Sequence, residues 1–355
     1  DGVFCDNEHV AEYGRKFNPN VRVIHACTQV EQFTAAKASH SRRQDGKIRL
    51  GWVGTHGTLS AISKIAPALA TICRRHPQIE LRLLCLNYQQ DQCPDLEEIP
   101  HSILTDYDEA TMIQEILDMD IGLFPPPFGL DDFAIRGPLK ALLYMSGGIP
   151  VVAQRGGDCA TLIEDGVNGM LADTQEEWEG QLELLLASAE RRQAMGEAGH
   201  RLVAQRNSLA AVSASLEDEL EYIRDHAEHN PALDMFRKPQ TASLTPVATA
   251  KGSGNGTPKI LIGCDFYWPS VGGVETIVKN LGLSLQKLGY EVEIAARALP
   301  NRTSDVYEGM LIHSLDADTP TSVGLPRASL QLRELVESGK YVGVILRADP
   351  LNWVI

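Results

Sequence analysis

The chain has 355 residues, enough for two domains that each bury a core. With 43% hydrophobic and 22% charged residues it has the make-up of a folded globular protein. Its formal charge of -15 excludes a broad polyanion-binding surface, so nucleic acid is not an expected partner and any phosphate must be held at a local site.

Residues 1–46 hold a helical stretch from His9 to Phe17, a strand-like run Val21-Arg22-Val23-Ile24, and polar sequence around Ser39 to Gly46. They read as the end of one domain and the link out of it. From 47 to 228 strand and helix alternate, the signature of a parallel sheet with helices on both faces. The strands expected are Ile48 to Val53, Glu80 to Leu86, Ile121 to Phe124, Pro150 to Ala153 and Gly169 to Ala172, short and apolar as buried parallel strands are. Three helical segments from Gln175 to Ala227, with apolar positions three and four apart, close the domain. Residues 229–258 are rich in Pro, Ser, Thr, Ala and Gly and read as a flexible linker. Residues 259–355 then begin a second α/β domain: a strand at Lys259 to Gly263, a glycine loop, a helix from Val274 to Gly289 and a strand at Glu291 to Ala295.

The chain begins at Asp1 without an initiator Met and stops in the apolar run Trp353-Val354-Ile355, which suggests a piece of a longer protein. No run approaches the roughly 18–20 apolar residues of a membrane-spanning helix, and no signal-peptide pattern opens the sequence. The expectation is a cytoplasmic protein, compatible with a peripheral place at the inner face of a membrane. The seven cysteines are scattered without a C-x-x-C pair, which supports neither a disulfide framework nor a zinc site.

Two segments carry candidate chemistry. Gly51-Trp52-Val53-Gly54-Thr55-His56-Gly57-Thr58 leaves a strand and opens a helix, with Thr58 as the expected N-cap. Glycine there lets backbone N–H groups approach a ligand, and the helix N-terminus favours an anion; a ligand-free turn accounts for the same pattern. Arg136-Gly137-Pro138-Leu139-Lys140 opens another helix, where two cations four residues apart can converge on one diphosphate. Its bland counterpart is a pair of solvated cations, which the positive end of a helix dipole disfavours. Other features take the bland reading. Asp118-Met119-Asp120 looks like a metal-binding D-x-D but runs into an apolar strand, so capping and solvation suit it better. His56 and His101 are lone histidines, and Glu176 to Glu179 is a solvated helix start.

The order and spacing of Gly51-Trp52-Val53-Gly54, Asp120 to Pro125, Gly137-Pro138-Leu139-Lys140 with Tyr144-Met145, Gly148-Ile149-Pro150-Val151-Val152 and Glu164-Asp165-Gly166-Val167-Asn168-Gly169 resemble glycosyltransferase family 4 over about residues 47–225. That family has the GT-B fold, with two Rossmann-like α/β domains, parallel sheets and flanking helices. The resemblance implies a retaining transferase in cell-surface glycan synthesis that takes a nucleotide-sugar donor to a glycan or lipid-linked acceptor, with no metal cofactor. By the same resemblance Arg136, Gly137, Lys140, Gly54 and Thr55 hold the donor phosphates. The family's pair of glutamates falls on Ile135 and Leu143, a departure at the ribose-binding position. Pro269 to Glu275, with Gly272 and Gly273, resembles the glycine loop of the family's amino-terminal domain. The segments then read as the end of one amino-terminal domain, a complete carboxy-terminal domain, a linker and the start of another amino-terminal domain. Tandem enzymes explain this order most simply, and a permuted single enzyme is the other arrangement. The sequence leaves open a degenerate nucleotide- or glycan-binding module and a sugar-nucleotide epimerase of similar fold. No residue is singled out as a catalytic acid or base.

Overall fold

The computed structural model describes residues 3–5, 7–16, 18–86, 88, 96–125, 137–226, 257–264, 267, 273–299, 301–316, 331–332, 334–335, 338 and 341–346. The chain divides into two compact units. One comprises Phe4–Phe17 and Val21–Val212, the other Asp1–Val3, Asn18–Asn20 and Ser213–Ile355.

The chain opens with β1 (Val3–Cys5), α1 (Glu8–Gly14) and β2 (Val21–Val23), the two strands paired, and continues into α2 (Val30–Ser39). The main sheet of the first unit follows: β3 (Ile48–Thr55), α3 (His56–Arg75), β4 (Ile79–Leu86), β5 (His101–Leu104), α4 (Glu109–Leu117), β6 (Ile121–Phe124), α5 (Leu139–Gly147), β7 (Val151–Gln154), α6 (Gly157–Leu162) and β8 (Met170–Ala172). Helices α7 (Gln175–Leu186), α8 (Ala189–Arg206) and α9 (Leu209–His226) come next. All six strands are parallel, in the order β5-β4-β3-β6-β7-β8.

Burial on both faces explains the near-continuous apolar strands. Leu50, Trp52, Leu81, Leu83, Ile121, Leu123 and Val152 form one core with Leu59, Ile62, Ile65, Leu69 and Ile72, which sit three and four apart on α3. Among the elements the sequence reading did not expect are α2 and β5. Helix α2 buries only Val30 and Phe33, and β5 has no fully buried position, so neither carries a strong period.

Counting from β3, the strand order is 3-2-1-4-5-6, so successive connections run outward in opposite directions from between β3 and β6. Such a switch point leaves a crevice at the carboxyl ends of the two strands. Here the crevice has a specific origin. Pairing between β3 and β6 is confined to Leu50 with Ile121 and Gly51 with Gly122, after which the strands part.

The second unit contains β9 (Lys259–Gly263), α10 (Gly273–Lys287), β10 (Glu291–Arg297), β11 (Val306–Tyr307), β12 (Met310–Leu315) and β13 (Gly343–Leu346). The sheet order is β11-β12-β10-β9-β13, parallel except for the short β11. Leu261, Ala295, Leu315 and Leu332 form a buried cluster in it.

Candidate functional site at the switch point

Where β3 and β6 part, the side chain of Tyr144 fills the gap. It projects from the middle of α5, is fully buried, and its hydroxyl accepts from Val53 N at 3.0 Å while donating to Leu123 O at 3.2 Å. A single phenol thus replaces the missing ladder bond across the switch point. Burial raises its pKa, so it remains a donor. Gly122 makes room for the ring, because a Cβ there would lie 2.4 Å from it. Tyr107 secures the next strand over, its hydroxyl donating to Leu84 O at 3.3 Å and Gly54 O at 3.4 Å.

The rim of the crevice is built from two helix starts. Strand β3 runs on to Thr55, so Thr55 is the N-cap of α3 and the expected N-cap, Thr58, lies one turn inside. The Thr58 hydroxyl folds back on the turn, accepting from Thr55 N at 3.4 Å and donating to Thr55 O at 3.1 Å. Gly54 leaves no space for a side chain: a Cβ would sit 2.5 Å from the Trp52 ring and 2.8 Å from Thr58 Oγ1. The second helix start is that of α5, with Pro138 as N-cap and no side-chain cap. Lys140, in its first turn, donates to Thr58 Oγ1 at 3.4 Å. Its ammonium also lies 4.5 Å from the Trp52 ring centroid and 5.9 Å from that of Phe124. Two positive helix ends and one cation, held against aromatic faces, therefore meet at the carboxyl ends of β3 and β6. Such an arrangement attracts a multiply charged anion.

The residues singled out from sequence fall as follows. Gly54, Thr55 and Lys140 come together on this rim, and Gly137 precedes the Pro138 cap. Arg136, Ile135 and Gly272 lie outside the described residues, while Gly273 is the first residue of α10. Leu143 is buried on α5. Trp52 and Tyr144 were visible only as parts of motifs, without a role, and Thr58 only as the expected cap of α3.

The opposite end of the sheet is also charged, but it is internally neutralised. Asp118 meets Arg43 Nε at 2.9 Å and His40 Nε2 at 3.1 Å. Asp120 meets Arg42 at 2.8 Å and accepts from Arg49 N at 2.8 Å. These carboxylates fasten the polar segment after α2 to the amino ends of the strands, which is why D-x-D here serves structure. His101 Nδ1 lies 2.8 Å from Ile99 O, and Glu177 in the acidic start of α7 accepts from Asp173 N at 2.6 Å. Among the described residues no group of three or more His, Cys, Asp or Glu side chains is arranged to hold a metal, and no helix is long and apolar enough to cross a membrane.

No protein-family profile and no curated protein matches the chain. Solved structures do match. A sucrose-phosphate synthase from Thermosynechococcus elongatus aligns with a TM-score of 0.50 and 17% identity, over 63% of this chain and 59% of that one. HepE of Anabaena in complex with UDP aligns at 0.49 and 18%, over 62% and 64%, and a glycosyltransferase from Rickettsia africae at 0.48 and 13%, over 63% and 64%. The chain thus spans about three fifths of the length of these proteins. At such identities the likeness is one of fold: α/β, with the parallel, helix-flanked sheets of the GT-B type.

Proposed function

We propose that the chain belongs to a glycosyltransferase that moves a sugar from a nucleoside-diphosphate donor to a hydroxyl acceptor, with the donor's diphosphate held at the β3–β6 crevice. The observation that carries this reading is Lys140, bonded to Thr58 across the starts of α3 and α5. In the transfer, the bond from the anomeric carbon to the diphosphate breaks, a bond to the acceptor oxygen forms, the acceptor's proton is lost, and the diphosphate leaves with the electron pair. Helix ends and an ammonium stabilise that developing charge without needing a metal. The resemblance to glycosyltransferase family 4 extends the proposal to retention of configuration, a second phosphate contact from Arg136, a glycan or lipid-linked acceptor and a place in cell-surface polysaccharide synthesis. It also supports reading 259–355 as the start of another amino-terminal domain, with Gly272 and Gly273 in its glycine loop. Fold likeness to a sucrose-phosphate synthase agrees with sugar transfer.

The test is calorimetric titration of the full chain with UDP and with GDP, repeated with Lys140→Ala. One nucleotide binds, and the substitution weakens it by about 10- to 100-fold, the scale of a lost charge-assisted hydrogen bond. Binding unaffected by the substitution, or no binding of either nucleotide, overturns the site. Buried Leu143, at a position where the family has glutamate, favours a second reading, a module that holds a nucleotide without turnover. Release of nucleoside diphosphate only when acceptor is present separates the two.

A further inference from the structure

Trp52 is fully buried, and its indole Nε1 has no hydrogen-bond partner among the described residues. Buried donors are nearly always paired, so an orphan of this kind calls for an explanation. Its position supplies one. The ring atoms nearest the Cβ position of Gly54 are Cη2 and Cζ2, at 2.5 and 2.6 Å. Cζ2 belongs to the edge of the indole that carries Nε1, so that edge is turned to the carboxyl end of β3, where α3 begins. Thr58 Oγ1 lies 2.8 Å from the same Cβ position, and the Lys140 ammonium lies over the ring, 4.5 Å from its centroid. The orphan N–H is thus a floor beneath the rim of the β3–β6 crevice, with Lys140 across it.

The groups gathered there are matched in kind. An indole N–H and an ammonium donate and never accept, and α5 opens beside them with no side-chain cap on its first N–H groups. A hydroxyl brought to such a set leaves its own proton without an acceptor. An oxyanion is an acceptor on every oxygen and also meets the positive charge. The bond from Lys140 to Thr58 is long, at 3.4 Å, so an incoming oxyanion competes well for the ammonium. Once the ammonium turns to that ligand, the indole edge beneath it is uncovered.

We propose that Trp52 is a binding residue, its indole N–H donating to an oxygen of the diphosphate after Lys140 has moved from the ring to the same group. The choice of a diphosphate among oxyanions rests on the glycosyl-transfer reading above. The experiment is proton–nitrogen correlation NMR on the full chain carrying isotope-labelled tryptophan, titrated with inorganic pyrophosphate, inorganic phosphate, UDP and GDP. The chain has four tryptophans. Trp52→Phe, which keeps an aromatic ring and removes the N–H, assigns the Trp52 resonance by its loss. Trp178→Phe, Trp268→Phe and Trp353→Phe assign it by elimination if Trp52→Phe does not fold. Pyrophosphate moves the Trp52 N–H resonance downfield and saturably, and Trp52→Phe weakens pyrophosphate binding by about tenfold, as expected for a lost hydrogen bond to a charged group. A resonance that pyrophosphate leaves in place, or pyrophosphate binding indifferent to Trp52→Phe, overturns the role of Trp52. Phosphate bound as tightly as pyrophosphate overturns the choice of a diphosphate. The nucleotide arms keep the two proposals apart. UDP or GDP binding that falls in Lys140→Ala but not in Trp52→Phe sinks Trp52 alone, and a Trp52 resonance moved by pyrophosphate in a chain that binds neither nucleotide sinks the donor reading alone.

Discussion

A single oxygen does much of the work at the switch point. Without the Tyr144 hydroxyl, Val53 N–H and Leu123 O lose their partner in a place where water does not reach. Tyr144→Phe keeps the ring that Gly122 accommodates and deletes only that oxygen. The cost is therefore the desolvation of two unsatisfied backbone groups, about 1–3 kcal/mol, and not a cavity. Tyr107→Phe provides the contrast, since its contacts are longer, at 3.3 and 3.4 Å, and both go to carbonyls of strand residues. Its cost should stay below about 1 kcal/mol. Urea denaturation of the two variants checks the ranking, and equal midpoints would mean that the crevice does not depend on the Tyr144 bridge. The same bridge marks a limit of sequence reading. Val53 and Tyr144 are 91 residues apart, and Lys140 and Thr58 are 82 apart, so no local pattern pairs them. The cation and the glycines of the site could be read from spacing because they answer to the local geometry of a helix start. The aromatic faces that receive the cation could not.

Among the elements, α5 is held in place by what packs on its carboxyl end. Gly148 caps it in the left-handed conformation at φ 72°, Lys37 Nζ lies 3.5 Å from Gly147 O, and His200 Nδ1 of α8 lies 2.9 Å from Ser146 O. Helix α8 comes this close because residue 196 is glycine: a Cβ there would lie 2.0 Å from the Gly148 carbonyl oxygen, which is backbone and has nowhere to go. Gly180, in α7, has nothing within 4 Å of its Cβ position. The two glycines should therefore respond with opposite signs. Gly180→Ala gains about 0.5–1 kcal/mol of helix propensity. Gly196→Ala gains the same propensity but forces α8 off α5, and overpacking of about 1–3 kcal/mol exceeds it. Thermal melting of both variants checks this, and stabilisation by Gly196→Ala would refute the close packing. The three carboxy-terminal helices were legible from their periodicity, and so were the long strands. Helix α2 and β5 were not, since tertiary contacts decide them. The one-turn shift of the α3 cap from Thr58 to Thr55 arises because β3 continues two residues past its apolar run.

At the scale of the whole molecule, carboxylates set among the strands couple stability to pH in both units, Glu80 of β4 in the first and Glu293 of β10 in the second. The second unit places a carboxylate among its strands: Glu293 of β10 is 7% exposed, with Tyr341 Oη donating at 2.6 Å, His313 Nε2 at 2.6 Å and Lys259 Nζ at 2.9 Å. Burial alone would raise its pKa. The hydrogen bonds from Tyr341 and His313 and the pairing with Lys259 outweigh burial and bring it down to about 2. In an unfolded chain a glutamate titrates near about 4.3. A carboxyl depressed on folding contributes stability above its unfolded pKa and loses it as pH falls through the folded one, so the contribution should fade between about pH 4.3 and about 2. Glu293→Gln keeps the shape and removes the charge. At pH 6 the variant should denature at lower urea than the wild type, and the gap should narrow steadily as the pH is lowered toward about 2.5. Other carboxylates titrate over the same range, but they are common to both proteins and cancel in the difference. A gap that is constant with pH would show that Glu293 contributes through packing alone, and one that widens would mean that the carboxyl is protonated in the folded sheet.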